Sequence, residues 1–517
     1  MPAPAAGAAG ARGGEVYPRV VRSTGGRLRL GRREFLRLAG AALAGLGAVV
    51  AGIAVGRSSP GTPAEAVRAG SGGASPEGSS TDSPAPGTAR PVPAAPASAV
   101  PQPSATPVPS APAPSPSSPV ATGPRVLYRG AAIATGRSPR LETAMSILVT
   151  GGRIAWIRPS DAEEDPGPPD GLTVVDARGL TIVPGLVDAH SHVVLPGGPD
   201  YVARVGDPPR KLVAVAEKNG RVLFASGGRW IRDVGSPIGI DPVDGRHRAL
   251  ALGVRDRWAG RADRPTILAA GTWITTPGVR PGGSGLAVAD PARLPAAALG
   301  QLHAGADLVK LYVQAAGGGT PWTPSEIRAV VRAAHHAGAR VAAHVKDLAG
   351  ARAAVAGGVD AVDHGFEIDR ALARTMAARG TYLVTTLTVP LTWLGFARTA
   401  PGSYFATAAG RAASERLLRD ATASARIAHH AGVRIAAGTD FGGGGARAGV
   451  LAGEVEALVR AGLQPWEALG AATWRGGDLL GVADAGVIRE GGPASFILVA
   501  GNPLNDPGAL WRVRKPA

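Results

Sequence analysis

The apolar run Ile182-Val183-Pro184-Gly185-Leu186-Val187 leads into Asp188-Ala189-His190-Ser191-His192. Side chains two positions apart on a strand share a face, so the imidazoles of His190 and His192 can reach one cation. The 517 residues contain no cysteine, which excludes disulfide frameworks, zinc ribbons, thiol nucleophiles and cysteine-borne lipid anchors. Any metal must therefore be held by histidine and carboxylate. Further polar groups recur beside apolar, strand-like runs: Arg232-Asp233 before Val234-Gly235, Lys310 in Asp307-Leu308-Val309-Lys310-Leu311, His344 after Val341-Ala342-Ala343, Asp363-His364 before Gly365, and Asp440 after Gly438-Thr439. A single His-x-His is weak evidence, but an ordered set of this kind is not. Lys310 has an argument of its own. Only five lysines stand against fifty arginines, so a lysine kept within a strand points to amine chemistry that a guanidinium cannot perform. The alternative for Lys310 is a snorkelling or ion-paired amine.

The elements that must position these groups follow from the pattern around them. After Pro184, strands alternate with amphipathic, alanine-rich helices, the signature of parallel βα units. An internal repeat supports a barrel: Ala334-His335-His336-Ala337-Gly338-Ala339-Arg340-Val341-Ala342-Ala343 recurs as Ala428-His429-His430-Ala431-Gly432-Val433-Arg434-Ile435-Ala436-Ala437. In each copy a helix stops at glycine and a short apolar strand follows. Thr323, Pro324 and Glu326 predict a capping box at the start of the first helix. The strands run on to His344 and to Asp440, so polar groups gather at C-terminal strand ends, where barrel active sites lie. The tandem histidines His335, His336, His429 and His430 sit in last helical turns, which favours dipole complementation or solvent exposure over metal ligation. Short β segments occur before this region, from Arg125 to Ile182, and again after it, at 486–488, 494–499 and 502–504. The expected fold is α/β: a (β/α)8 TIM-like barrel over 184–481, with a small β-sandwich built from 125–183 and 482–511.

The ordered set, with Val183-Pro184-Gly185-Leu186-Val187-Asp188, Ala356-Gly357-Gly358-Val359-Asp360 and Ala461-Gly462-Leu463-Gln464-Pro465-Trp466-Glu467-Ala468-Leu469, resembles the amidohydrolase superfamily, in particular its imidazolonepropionase-like and prolidase-like members. The resemblance covers nearly all of residues 125–510. It implies a metal-dependent hydrolase of amide, cyclic amide or peptide C–N bonds in a small-molecule substrate, with two divalent ions, zinc by default. It further implies that His190, His192 and Asp440 bind the more buried metal and His344 and His364 the second. Lys310 would be carboxylated and bridge the two, with a hydroxide between the metals as nucleophile and Asp440 as the catalytic proton carrier. Tyr312, two residues after Lys310 on the same strand face, and Arg232 are the residues expected to meet a substrate carboxylate; the alternative for Arg232-Asp233 is an internal ion pair holding the barrel. Thr275 to Asp290, rich in glycine and proline, reads as an active-site loop. Gly282-Gly283-Ser284 stands there where relatives often carry Gly-Gly-His. A homo-oligomer is the expected assembly. Two competing readings are a mononuclear metal deaminase and a non-catalytic surface binding protein on the same fold.

The formal net charge of +16 raises the question of nucleic acid, but the arginines of the large block are scattered singly, without a stripe or motif, and no nucleic-acid partner is expected. Much of the charge lies in the head, residues 1–57, where nine arginines oppose Glu15 and Glu34. There Arg32-Arg33-Glu34-Phe35-Leu36 precedes an uncharged stretch from Leu38 to Gly56, which resembles a twin-arginine export signal. The stretch also approaches the length of a plain membrane anchor. Residues 58–124 are almost wholly Pro, Ala, Ser, Gly, Thr and Val and read as a disordered linker. The expected location is outside the cytoplasm, reached through the twin-arginine export machinery, with the domain membrane-tethered by its N-terminus or secreted.

Overall fold

The computed structural model describes residues 123–280, 284–315 and 319–514. The head, and all but the last two residues of the linker, lie outside these. Among the described residues no helix is long and apolar enough to cross a membrane.

Five strands, Arg125–Ile133, Glu142–Thr150, Arg153–Pro159, Leu172–Asp176 and Leu180–Pro184, join Phe496–Ala500 and Val513–Arg514 in one seven-stranded sheet. The two ends of the catalytic region are therefore interleaved: Phe496–Ala500 runs antiparallel to Leu180–Pro184. The expected sandwich is hydrogen-bonded as a single connected sheet because its first strand changes partner. Residues 125–129 pair with Leu172–Asp176, whereas Ala132 and Ile133 pair with Leu180–Pro184. The register against Glu142–Thr150 shifts between Tyr128 and Ala131, where Gly130 adopts a φ of 78°. Such a bulge bends a strand and re-aims its neighbours. Both faces are covered, as a layered arrangement requires: Tyr128, Ile147, Ile182 and Phe496 share one cluster, and Leu127, Leu148 and Trp156 another.

Two of the expected late strands do not form. Residues 502–504 are held by the Asn502 side chain, whose Oδ1 accepts from Leu504 N at 2.9 Å. Residues 486–488 pair with no strand either; Gly486, at φ 68°, packs on the Thr473 backbone. The last strand instead lies at Val513–Arg514, beyond the boundary set at 511.

Eight parallel strands surround the site: Leu186–Ser191, Gly228–Asp233, Thr266–Ala269, Leu308–Tyr312, Arg340–Val345, Ala361–His364, Tyr382–Thr385 and Ile435–Ala437. The first three form one arc and the last five another. Individual backbone bonds bridge the arcs, from Asp440 N to His190 O at 2.8 Å, from His192 N to Phe441 O at 3.1 Å and, at the other edge, from Asp307 N to Ala269 O at 2.8 Å. The result is the expected TIM-like α/β arrangement.

The repeat folds as its spacing predicts. Helix Pro324–His336 opens with the Thr323–Glu326 capping box and buries Ile327, Val330, Val331 and Ala334, the i, i+3, i+4, i+7 stripe of an amphipathic helix. It and helix Ala408–His430 stop before Gly338 and Gly432, both left-handed at φ 76° and 77°. The tandem histidines thus lie at the N-terminal ends of the barrel strands. His335 Nε2 is 2.9 Å from Asp360 Oδ2, and His429 Nε2 is 3.4 Å from Glu467 Oε2.

Candidate metal centre and active site

Every strand-end histidine singled out from the sequence faces one buried cluster. His190 Nε2 lies 3.4 Å, and His192 Nε2 3.1 Å, from Asp440 Oδ1. The His192 ring is oriented from behind, because its Nδ1 sits 2.7 Å from the Gly235 carbonyl, which can only accept. That contact turns Nε2 inward, toward Asp440. His364 Nδ1 meets Thr386 Oγ1 at 2.8 Å, and its Nε2 is 2.9 Å from His344 Nδ1. Gln314 Oε1 lies 3.3 Å from His344 Nε2. The His190 and His364 rings are 4.6 Å apart and join the two halves.

One ligand atom from each of His190, His364 and Asp440 falls within 4.8 Å of the others. Bonds of about 2.0–2.2 Å from nitrogen or oxygen to a divalent ion suit such a spread. His190 Nδ1 is buried without a hydrogen bond, although Asp363 Oδ2 is 3.3 Å away. Burial lowers the pKa of both His344 and His364 well below the ordinary range, and neighbouring positive groups push the same way, so both rings are neutral, the ligating form. Burial alone would raise the Asp440 carboxyl, but the hydrogen bonds and charge of His190, with His192, outweigh it and hold the group well below its usual value. Backbone strain concentrates here too. His364 and Asp440 have φ of 70° and 48°, two of only three non-glycine positive values among the described residues. Each costs about 1–3 kcal/mol, which the surrounding structure must over-determine.

Lys310 and Arg232 meet on a residue to which the sequence assigned no role. Lys310 Nζ donates to Asp363 Oδ2, and Arg232 donates to Asp363 Oδ1 at 2.6 Å. Arg232 Nε also donates to the Ala189 carbonyl at 2.5 Å. Of the two roles expected for Arg232, the structure realises an internal ion pair, though with Asp363 and not with the neighbouring Asp233: its guanidinium is buried and committed there rather than free for a substrate carboxylate. Burial pushes the Lys310 amine down, and the adjacent Asp363 recovers only part of that shift. Burial would raise Asp363, but Arg232, Lys310 and His190 together keep it well below the ordinary carboxylate range. Tyr312 lies on the site wall, its ring stacked 3.8 Å from that of His344.

Other groups emerge only from the fold. Asp188 accepts from Thr439 N at 3.0 Å and Thr439 Oγ1 at 2.6 Å, fastening the His190 strand to the loop that carries Asp440. Burial pushes its carboxyl up to about 7. Asp233, pushed by burial to about 6, accepts from Val193 N and Gly235 N and shapes the turn after His192. The run Gly442-Gly443-Gly444-Gly445 lies against the centre. A Cβ on Gly443 would stand 2.2 Å from His192 Cδ2, and one on Gly444 2.6 Å from Asp440 Oδ2. The four-glycine run directly after Phe441 was the available signal.

Residues 181–517 match the amidohydrolase family model. The chain belongs to the amidohydrolase family. As a member it is a hydrolase acting on carbon–nitrogen bonds, in a family that is generally metal-dependent. An uncharacterized protein of Mycobacterium tuberculosis is 31% identical over 378 residues, covering 71% of this amidohydrolase and 89% of its own length. The imidazolonepropionase of Anaeromyxobacter dehalogenans is 29% identical over 416 residues, with 72% and 89% covered. Among solved structures, a Xaa-Pro dipeptidase with bound methionine in its active site superposes with a TM-score of 0.66 at 27% identity, covering 75% of this chain and 97% of that one.

Proposed function

We propose that this amidohydrolase is a binuclear metal-dependent enzyme cleaving amide, cyclic amide or peptide C–N bonds in small molecules. The observation that carries the reading is the convergence of His190, His192, His364 and Asp440, with His344 and Lys310 adjoining, at the C-terminal ends of the barrel strands. His190, His192 and Asp440 would hold one divalent ion, His344 and His364 a second, and a carboxylated Lys310 would bridge them; zinc fits the donors. When bound, such ions supply the Lewis acidity that ionises water near neutral pH and polarises a carbonyl.

The protein's own part follows from its charges. Asp440, kept ionised by the imidazoles beside it, accepts the proton of the attacking water and passes it to the leaving nitrogen. His192, fixed by the Gly235 carbonyl at Nδ1, keeps its Nε2 turned inward toward Asp440. Lys310, with its ammonium form disfavoured by burial, reaches the free amine that adds to carbon dioxide: a nitrogen–carbon bond forms, one proton leaves the nitrogen to solvent, and the neutral amine becomes an anionic carbamate. Arg232 then remains as the counter-charge of Asp363. A relative that is an imidazolonepropionase and a structural neighbour that is a Xaa-Pro dipeptidase support acyl substrates. The Arg32-Arg33 head supports export of the domain already folded, tethered or secreted.

The test is metal analysis joined to a panel of dipeptides and N-acyl amino acids. About two divalent ions per chain and hydrolysis of some panel members are expected. Lys310→Ala should lose both most of its activity and one ion, with partial recovery in added short carboxylates. One ion per chain, with turnover of aminated heterocycles only, would replace this reading by the mononuclear deaminase.

A further inference from the structure

Two aromatic rings bracket the mouth above the imidazoles. Trp273 lies 5.5 Å from the His192 ring, and Tyr312 stacks on His344 in the other half of the centre. Arg280 spans the gap between them. Its guanidinium carbon is 3.7 Å from the Trp273 ring centroid and 5.3 Å from that of Tyr312. Stacking occupies the faces of the guanidinium and leaves its N–H edge for an acceptor. Among the described residues that edge is given to no carboxylate; it donates to the Tyr312 hydroxyl, Ser284 Oγ, 3.4 Å from Nε, is a weak partner, and further N–H groups of the fork remain. Arg232, the other arginine expected near the substrate, is already paired with Asp363. A partly desolvated guanidinium held flat over a catalytic mouth, with in-plane donors to spare, is a receptor for a carboxylate.

We infer that Arg280 binds a carboxylate of the substrate, so that the enzyme takes N-acyl amino acids or dipeptides with a free α-carboxylate in preference to neutral amides. Trp273 and Tyr312 hold the guanidinium in place, and Arg280 is a specificity determinant rather than a participant in bond cleavage. The inference rests on the C–N hydrolase reading and names the substrate class for that same site.

The experiment compares metal-loaded wild type, Arg280→Met and Arg280→Lys on an N-acetyl amino acid and on its carboxamide, following acetate release, with thermal melting to confirm folding. Wild type should prefer the acid by at least about tenfold. Arg280→Met should lower kcat/KM for the acid roughly 100-fold, chiefly through KM, the size expected for a hydrogen-bonded charge. Its loss on the carboxamide should be at least about ten times smaller, and Arg280→Lys should recover part of the preference. Equal losses on both substrates, or an acid preference unchanged in Arg280→Met, would overturn the inference. If wild type releases acetate from neither, the hydrolase reading fails separately. Calorimetric titration with the N-acetyl amino acid then decides for Arg280: affinity lost in Arg280→Met supports it, and equal affinity refutes it.

Discussion

Histidines gather at both ends of the barrel strands and meet opposite fates. At the N-terminal ends, the pairs His335-His336 and His429-His430 close helices, lie at or near the surface and contact single carboxylates. At the C-terminal ends, His192, His190, His364 and His344 are buried and joined in that order by a chain of ring contacts. Residue type and local pairing are alike, so neither decides the role. Position within the βα unit does. A last helical turn points its side chains outward beside free carbonyls, whereas a strand end converges on the barrel axis with its seven fellows.

If that contrast is sound, substitutions at the C-terminal pole should be costly and those at the N-terminal pole mild. The largest effect is expected for Asp363→Ala in the metal-free protein with Lys310 unmodified, where it leaves the buried Lys310 amine and Arg232 guanidinium without their shared carboxylate. Its urea midpoint should reflect a loss of about 3–5 kcal/mol, and adding Lys310→Met should return part of it. A double variant no better than the single one would mean that the charges were never the source of the loss. Gly443→Ala comes next. Its Cβ would stand 2.6 Å from Asp440 Oδ1 as well as against His192, so a cost of about 1–3 kcal/mol and weakened metal uptake are expected; unaltered metal stoichiometry would count against close packing of this loop on the ligands. The smallest effect belongs to His335→Ala. Asp360 keeps its bond from Val341 N at 2.7 Å, and thermal melting should register no more than about 0.5 kcal/mol. A larger shift there would erase the distinction between the poles.

How much of this was readable beforehand depends on the range of the interaction. His190, His192, Lys310, His344, His364 and Asp440 were visible because each interrupts or ends an apolar strand, a one-dimensional signal. The helices of the repeat were visible because caps and stripes are local. Asp363 stood in plain sight beside His364, but its partners are 53 and 131 residues away, and no spacing rule joins them. The same holds for Arg280, whose meaning depends on Trp273 and Tyr312 arriving on either side. Arg232 had two readings that only its neighbours could separate. The late strands failed for a related reason: short apolar stretches at 486–488 and 502–504 suit a sheet, but side-chain-held turns and close backbone packing claim them first.

The seam between Leu180–Pro184 and Phe496–Ala500 has a consequence for biosynthesis. Thr181 hydroxyl and Gly501 carbonyl, bonded at 2.7 Å, stand 320 positions apart in the chain. A nascent polypeptide must therefore hold the flank of its earliest strands unpaired until residue 501 has left the ribosome. During that interval an open strand edge is exposed to any neighbouring polypeptide. Truncation anywhere before Phe496 should consequently yield aggregates rather than a smaller working enzyme.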